Sequence, residues 1–116
     1  MVVKDLDSPD ELRSLRKTKA HVVHMGAITI MKATFEPGWK WSECVKPAMG
    51  TKSCPVHHVG YVLSGRMKVL MDDGTSAEIQ TGDAVDIPPG HDAWVIGNEP
   101  CVLIDFTGGK TYAKKV

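Results

Sequence analysis

The chain has 116 residues with 14 basic and 14 acidic side chains, a formal net charge of +0, which leaves room for one domain with a modest core and excludes an electrostatic nucleic-acid binder, because that needs a basic face. No apolar run is long enough for a membrane span, and residues 1–7 lack the apolar core of a signal peptide. Three cysteines are an odd count for a disulfide framework, so a cytoplasmic, reduced protein is expected in which each thiol is free or a ligand.

Ser8-Pro9-Asp10-Glu11 carries a helix-start signal. Ser8 suits a cap, Pro9 the first helical position, and Glu11 completes a capping box. Leu12 and Leu15 supply a short apolar edge, which predicts one short helix to about Lys17 within an N-terminal extension, residues 1–20. The domain proper is expected over residues 21–116. His21–Met25 and Ala27–Phe35 read as two strands around Gly26. After the Pro37-Gly38 turn, Trp39–Cys44 alternates, with both tryptophans on one face. Val45–Ser53, with Pro47 and Gly50, reads as a loop.

The run from Cys54 to Arg66 follows, Cys-Pro-Val-His-His-Val-Gly-Tyr-Val-Leu-Ser-Gly-Arg. Its β-branched and aromatic residues predict a strand, and Ser64-Gly65 predicts a turn. Side chains alternate along a strand, so Cys54, Val56, His58, Gly60 and Val62 share a face and His57 lies on the other. A sulfur and an imidazole four residues apart form half of a metal or catalytic site. Met67–Met71 resumes a strand, Asp72-Asp73-Gly74 turns it as a hairpin, and Thr75–Gln80 returns. Ala84–Ile87 is short, Pro88-Pro89-Gly90 forces a bend, and Asp92–Ile96 and Cys101–Phe106 are the last strands. Thr107–Val116 reads as a polar tail, frayed or swapped onto a neighbour. Short strands at regular spacing suggest an all-β sandwich or barrel.

Two stretches carry a family resemblance. His58-Val59-Gly60-Tyr61-Val62-Leu63-Ser64-Gly65 is similar to the end of the first cupin motif, with His58 at the usual glutamate position. Gly82, Pro88 and Gly90 match the second motif, while Ala93 stands at its histidine position. Lys52 and Cys54 stand where the first motif has its histidine pair. The resemblance, over residues 26 to 106, implies a cupin-type jelly-roll barrel that pairs as a homodimer.

It also places the Cys54–His58 face inward and brings His91, beyond the Pro-Pro-Gly bend, to the same cavity. Cys54, His58 and His91, with Glu43 or Cys44 as a further contributor, are then the candidate ligands of a divalent transition metal. Thiolate and imidazole suit zinc or iron rather than magnesium. A ligand pocket is expected beside them, lined by Trp41, Gly60, Val62 and Ala93. The plainer alternative makes Cys54 a packed thiol and His58 a hydrogen-bonded core histidine. Two functions follow: a metal-dependent enzyme acting on a small organic molecule, or a metal-free barrel that binds or senses a small ligand.

Overall fold

A computed structural model describes residues 1–113. Among the described residues, nine strands form two antiparallel sheets. The chain order is β1 (Glu11–Leu15), β2 (Thr18–Met25), β3 (Ile28–Phe35), α1 (Trp41–Cys44), α2 (Lys46–Met49), β4 (His58–Ser64), β5 (Arg66–Met71), β6 (Ser76–Gln80), β7 (Ala84–Ile87), β8 (His91–Val95) and β9 (Cys101–Asp105). The larger sheet runs β1-β2-β3-β9-β4-β7 and the smaller β6-β5-β8. The result is the expected all-β jelly roll, although the sheets do not close into one continuous barrel.

Period-two alternation explains the inner faces. Met31, Ala33 and Phe35 of β3 and Val62 of β4 are buried against Met67 and Val69 of β5 and Ala93 and Val95 of β8, as expected for two sheets packed on one apolar core. Two backbone approaches depend on glycine. A Cβ at Gly60 would lie 1.9 Å from the Ile104 carbonyl oxygen, and one at Gly65 would lie 2.3 Å from that of Pro100. Gly65 also has φ +83°, which side-chain-bearing residues resist. No helix among the described residues is long and apolar enough to cross a membrane.

Three expectations are corrected. The helix expected from Ser8 to Lys17 is instead β1, paired antiparallel with β2 from Glu11↔Val22 to Leu15↔Thr18. Capping signals stabilise by about 1 kcal/mol, and an isolated short helix is marginal. Here the ladder and Arg13 decide: the buried guanidinium donates to the backbone oxygens of Gly109 and Tyr112 at 2.7 and 2.8 Å. Asp10 accepts from the His24 amide rather than serving a helix. Next, Trp41–Cys44 and Lys46–Met49 form two single helical turns where a strand and a loop were expected, the second closed by Gly50 at φ 70°. Both Trp39 and Trp41 still face inward. Finally, the polar tail folds back over the core through a 3-10 turn at Gly108–Lys110 that buries Tyr112. Residues 114–116 of that expected tail lie outside the described residues.

Candidate metal centre

Three donor side chains meet at one end of the space between the sheets. Among the described residues, the ligand atoms of Cys54, His58 and His91 all lie within 4.8 Å of one another. They arrive from different places. His91 opens β8, whose alternation turns His91, Ala93 and Val95 inward. Cys54 joins it through a backbone bridge: the Cys54 amide donates to the His91 oxygen, and the Gly90 amide donates to the Cys54 oxygen, both at 2.8 Å. Gly90 makes the bend at φ +91°. His58 opens β4 in the other sheet. The single strand expected from Cys54 to Leu63 is therefore corrected. Pro55, Val56 and His57 carry the chain from one sheet to the other, and the two side chains converge across that crossing.

Each histidine has one ring nitrogen committed. His91 Nδ1 donates to the Pro88 carbonyl at 2.8 Å, and His58 Nδ1 donates to Asp105 Oδ2. Each Nε2 is thereby left as the available donor, and His58 Nε2 lies 3.8 Å from Cys54 Sγ. Zinc–sulfur and zinc–nitrogen bonds at tetrahedral angles set sulfur and nitrogen roughly 3.6 Å apart. That pair is thus near the spacing of a zinc or ferrous iron site. The three ligand atoms, within 4.8 Å of one another, would draw together on binding, and the carboxylate behind His58 is the usual outer partner of a metal-bound imidazole.

Burial sets the protonation of the metal-free site. It pushes the Cys54 thiol up to about 11, with the charges of Asp105 and Asp92 adding to the effect and a Val56 backbone hydrogen bond opposing it. It also lowers His91, which the neighbouring His58 lowers further against the opposing Pro88 hydrogen bond. For Asp105, burial alone would raise the carboxyl. The hydrogen bond and charge of His58, with the Gly108 and Thr107 amides, outweigh burial and hold it below the ordinary carboxylate range. Asp105 thus stays ionised behind His58. Gly108 leaves space for this pair, since a Cβ there would lie 2.5 Å from Asp105 Oδ2 and 2.8 Å from His58 Nδ1.

The remaining expected positions divide. Glu43 is exposed on α1 and does not reach the cluster, because the turn points Trp41 and Cys44 inward instead. Cys44 is buried but stands outside the cluster. Trp41, Gly60 and Ala93 line the cavity beside the two histidines, whereas Val62 is shut into the core without lining it. His57 faces away and pairs with Asp86 at 2.6 Å. The sequence reading missed Asp105 and Tyr112, and Trp39, placed with Trp41 on one face, joins it in the cavity lining. Asp105 has a sequence signal: it is a carboxylate closing an apolar strand, and buried charges are paired. Tyr112 has none, because its burial depends on the fold-back of the tail.

No family model and no curated protein matches the chain. Solved structures do. A protein of unknown function from Rhizobium leguminosarum bv. viciae superposes with TM-score 0.66 at 23% identity, over 92% of this chain and 95% of that one. The polyketide cyclase RemF from Streptomyces resistomycificus gives TM-score 0.64 at 15% identity, over 99% and 82%. The oxalate decarboxylase of Lactobacillus farciminis, solved as a formate complex, gives 0.62 at 18% identity over 88% of this chain, which spans only 32% of that enzyme. A cupin-like protein from Thermotoga maritima gives 0.55 at 18% identity. Likeness at these identities speaks to architecture alone: the chain has the cupin-type fold.

Proposed function

We propose that this protein holds a divalent transition metal, zinc or iron, through Cys54, His58 and His91, and offers it to a small organic molecule in the adjoining cavity. One observation carries the reading: three soft or borderline donors converge within 4.8 Å with both imidazoles oriented by outer hydrogen bonds. Three protein ligands leave a coordination position for water or substrate. A metal held there would supply Lewis-acid polarisation of a bound oxygen or lower the pKa of a bound water. The chain's own residues do the rest. Asp105 holds His58 in one tautomer, Pro88 does the same for His91, and Cys54 gives up its proton on binding. The neighbouring folds include enzymes, which supports catalysis without specifying a reaction.

The cavity has a free volume of about 40 Å³. A benzene-sized guest occupies roughly 150 Å³ and one water roughly 10–15 Å³. As it stands, the site therefore admits a molecule of a few heavy atoms. Three buried, unpaired thiols support a reducing, cytoplasmic setting, and the apolar outer face of the larger sheet supports a homodimer.

A second reading, a metal-free ligand-binding barrel, is favoured by the burial of Cys54 at 1% exposure and its raised pKa. Metal analysis of tag-free protein separates the two. The proposal expects about one zinc or iron per chain, lost in a Cys54→Ala, His58→Ala double variant that still folds. Equal metal content in the variant and the parent protein, or none in either, would favour the metal-free barrel.

A further inference from the structure

Among the described residues, the Trp39 and Trp41 indole N–H groups and the Tyr112 hydroxyl are buried without a hydrogen-bond partner. The three residues are 2%, 1% and 3% exposed, and all of them line the cavity that His58 and His91 share. Buried donors left unmade are rare in folded proteins, and each calls for a missing partner. An indole N–H only donates, so what is missing must accept.

The lining also sets the charge of that partner. Among the described residues no lysine or arginine borders the cavity, and the carboxylate that does, Asp105, is ionised and committed to His58. A bound divalent ion is already balanced by the Cys54 thiolate and the Asp105 carboxylate, so an anionic ligand would bury a net negative charge in an apolar enclosure, which is costly. An ammonium group would leave the indoles unpaired. A neutral carbonyl oxygen avoids both costs, with two lone-pair directions for N–H donors. The surrounding methionine, phenylalanine and valine side chains suit its carbon skeleton.

We infer that the site takes a small uncharged carbonyl compound, its oxygen accepting from the Trp39 and Trp41 indoles, with the Tyr112 hydroxyl a further polar partner for the ligand. This deepens, and rests on, the reading of the cavity as a small-molecule site beside a metal. The water expected in an unliganded cavity would be displaced by such an oxygen.

The indole N–H resonances test the inference directly. The chain has three tryptophans, and Trp94, lying under the Lys40 ammonium at 5.2 Å, is outside the cavity and serves as the control. Nitrogen–proton correlation spectra are recorded on the protein as purified and after chelator treatment. Butanone, propanoate and isopropylammonium are each titrated, with Trp39→Phe and Trp41→Phe providing assignments. Butanone should move the Trp39 and Trp41 signals downfield and leave Trp94 in place. Propanoate and isopropylammonium should need at least tenfold higher concentration, and Tyr112→Phe should weaken butanone about threefold or more. No movement with butanone, equal movement with propanoate, or parallel movement of all three indoles would overturn the inference. Metal content is read on the same samples. A butanone response in protein that holds no metal as purified keeps this inference and counts against the metal reading, whereas metal without a response overturns this inference alone.

Discussion

Asp105 fixes which nitrogen His58 presents to the cavity. Its Oδ2 accepts from His58 Nδ1, while Oδ1 accepts from the Thr107 and Gly108 amides at 2.9 and 2.8 Å. Removing such an outer carboxylate typically costs 10–100-fold in metal affinity. Asp105→Asn should therefore bind zinc about 10–100-fold more weakly by chelator competition while keeping its β-sheet circular dichroism; unchanged affinity would show that His58 needs no orienting partner. Cys101 offers a pH test away from the site. Burial pushes its thiol up to about 11, whereas an unfolded thiol titrates near 9. Between those values the unfolded chain binds fewer protons than the folded one, so stability is full below pH 9 and falls as pH rises towards 11. Cys54 adds the same slope in metal-free protein. The denaturant midpoint should drop across that window, and Cys101→Ala should flatten part of the drop. At this scale, His58, His91 and Cys54 were legible because few residue types make such a donor set. Asp105 left only the trace of a carboxylate closing an apolar strand, its partner lying 47 residues away in the chain, and Tyr112 left none, because its burial depends on the fold-back of the tail.

At the scale of elements, strands were readable wherever alternation and glycine turns agreed. β3 and β8 bury every second side chain, and Asp72-Asp73-Gly74 closes the β5–β6 hairpin, with the Gly74 amide donating to Met71. Reading failed where local signals competed with pairing. The capping residues before Glu11 argue for a helix in isolation, but the segment has the β2 edge to bind and a buried niche for Arg13. It failed again at Cys54, where the change of sheet between residues 54 and 58 leaves no mark beyond Pro55. The β4–β9 pair gives a stability test. Gly60 sits opposite Asp105, where any Cβ would collide with the Ile104 backbone at 1.9 Å. Gly60→Ala should lower stability by about 2 kcal/mol or more by denaturant titration, while Gly82→Ala, strained in φ but with open space around it, should cost about 1 kcal/mol. Equal midpoints for both would mean the two strands approach less closely than described.

Across the whole molecule, the larger sheet leaves an apolar outer face. Tyr61, Leu63 and Phe106 are exposed there, with Ile104 directly opposite Tyr61 in the ladder. A second copy laid on this face would bury it, so light scattering at micromolar concentration should give twice the chain mass, and Tyr61→Lys should shift it to the monomer. A monomer for the parent protein would refute the pairing. Arg13 acts at the same scale: it reaches from the first strand to the carbonyls of the final turn, so the two ends of the chain together close the core beside Tyr112. X-ray absorption at the metal edge reads the proposed Cys54, His58 and His91 ligands directly. The expected spectrum has one sulfur at about 2.3 Å and two imidazole nitrogens at about 2.0–2.1 Å, with the sulfur lost in Cys54→Ala. A bound metal surrounded only by nitrogen and oxygen, or a sulfur shell that survives Cys54→Ala, would contradict it.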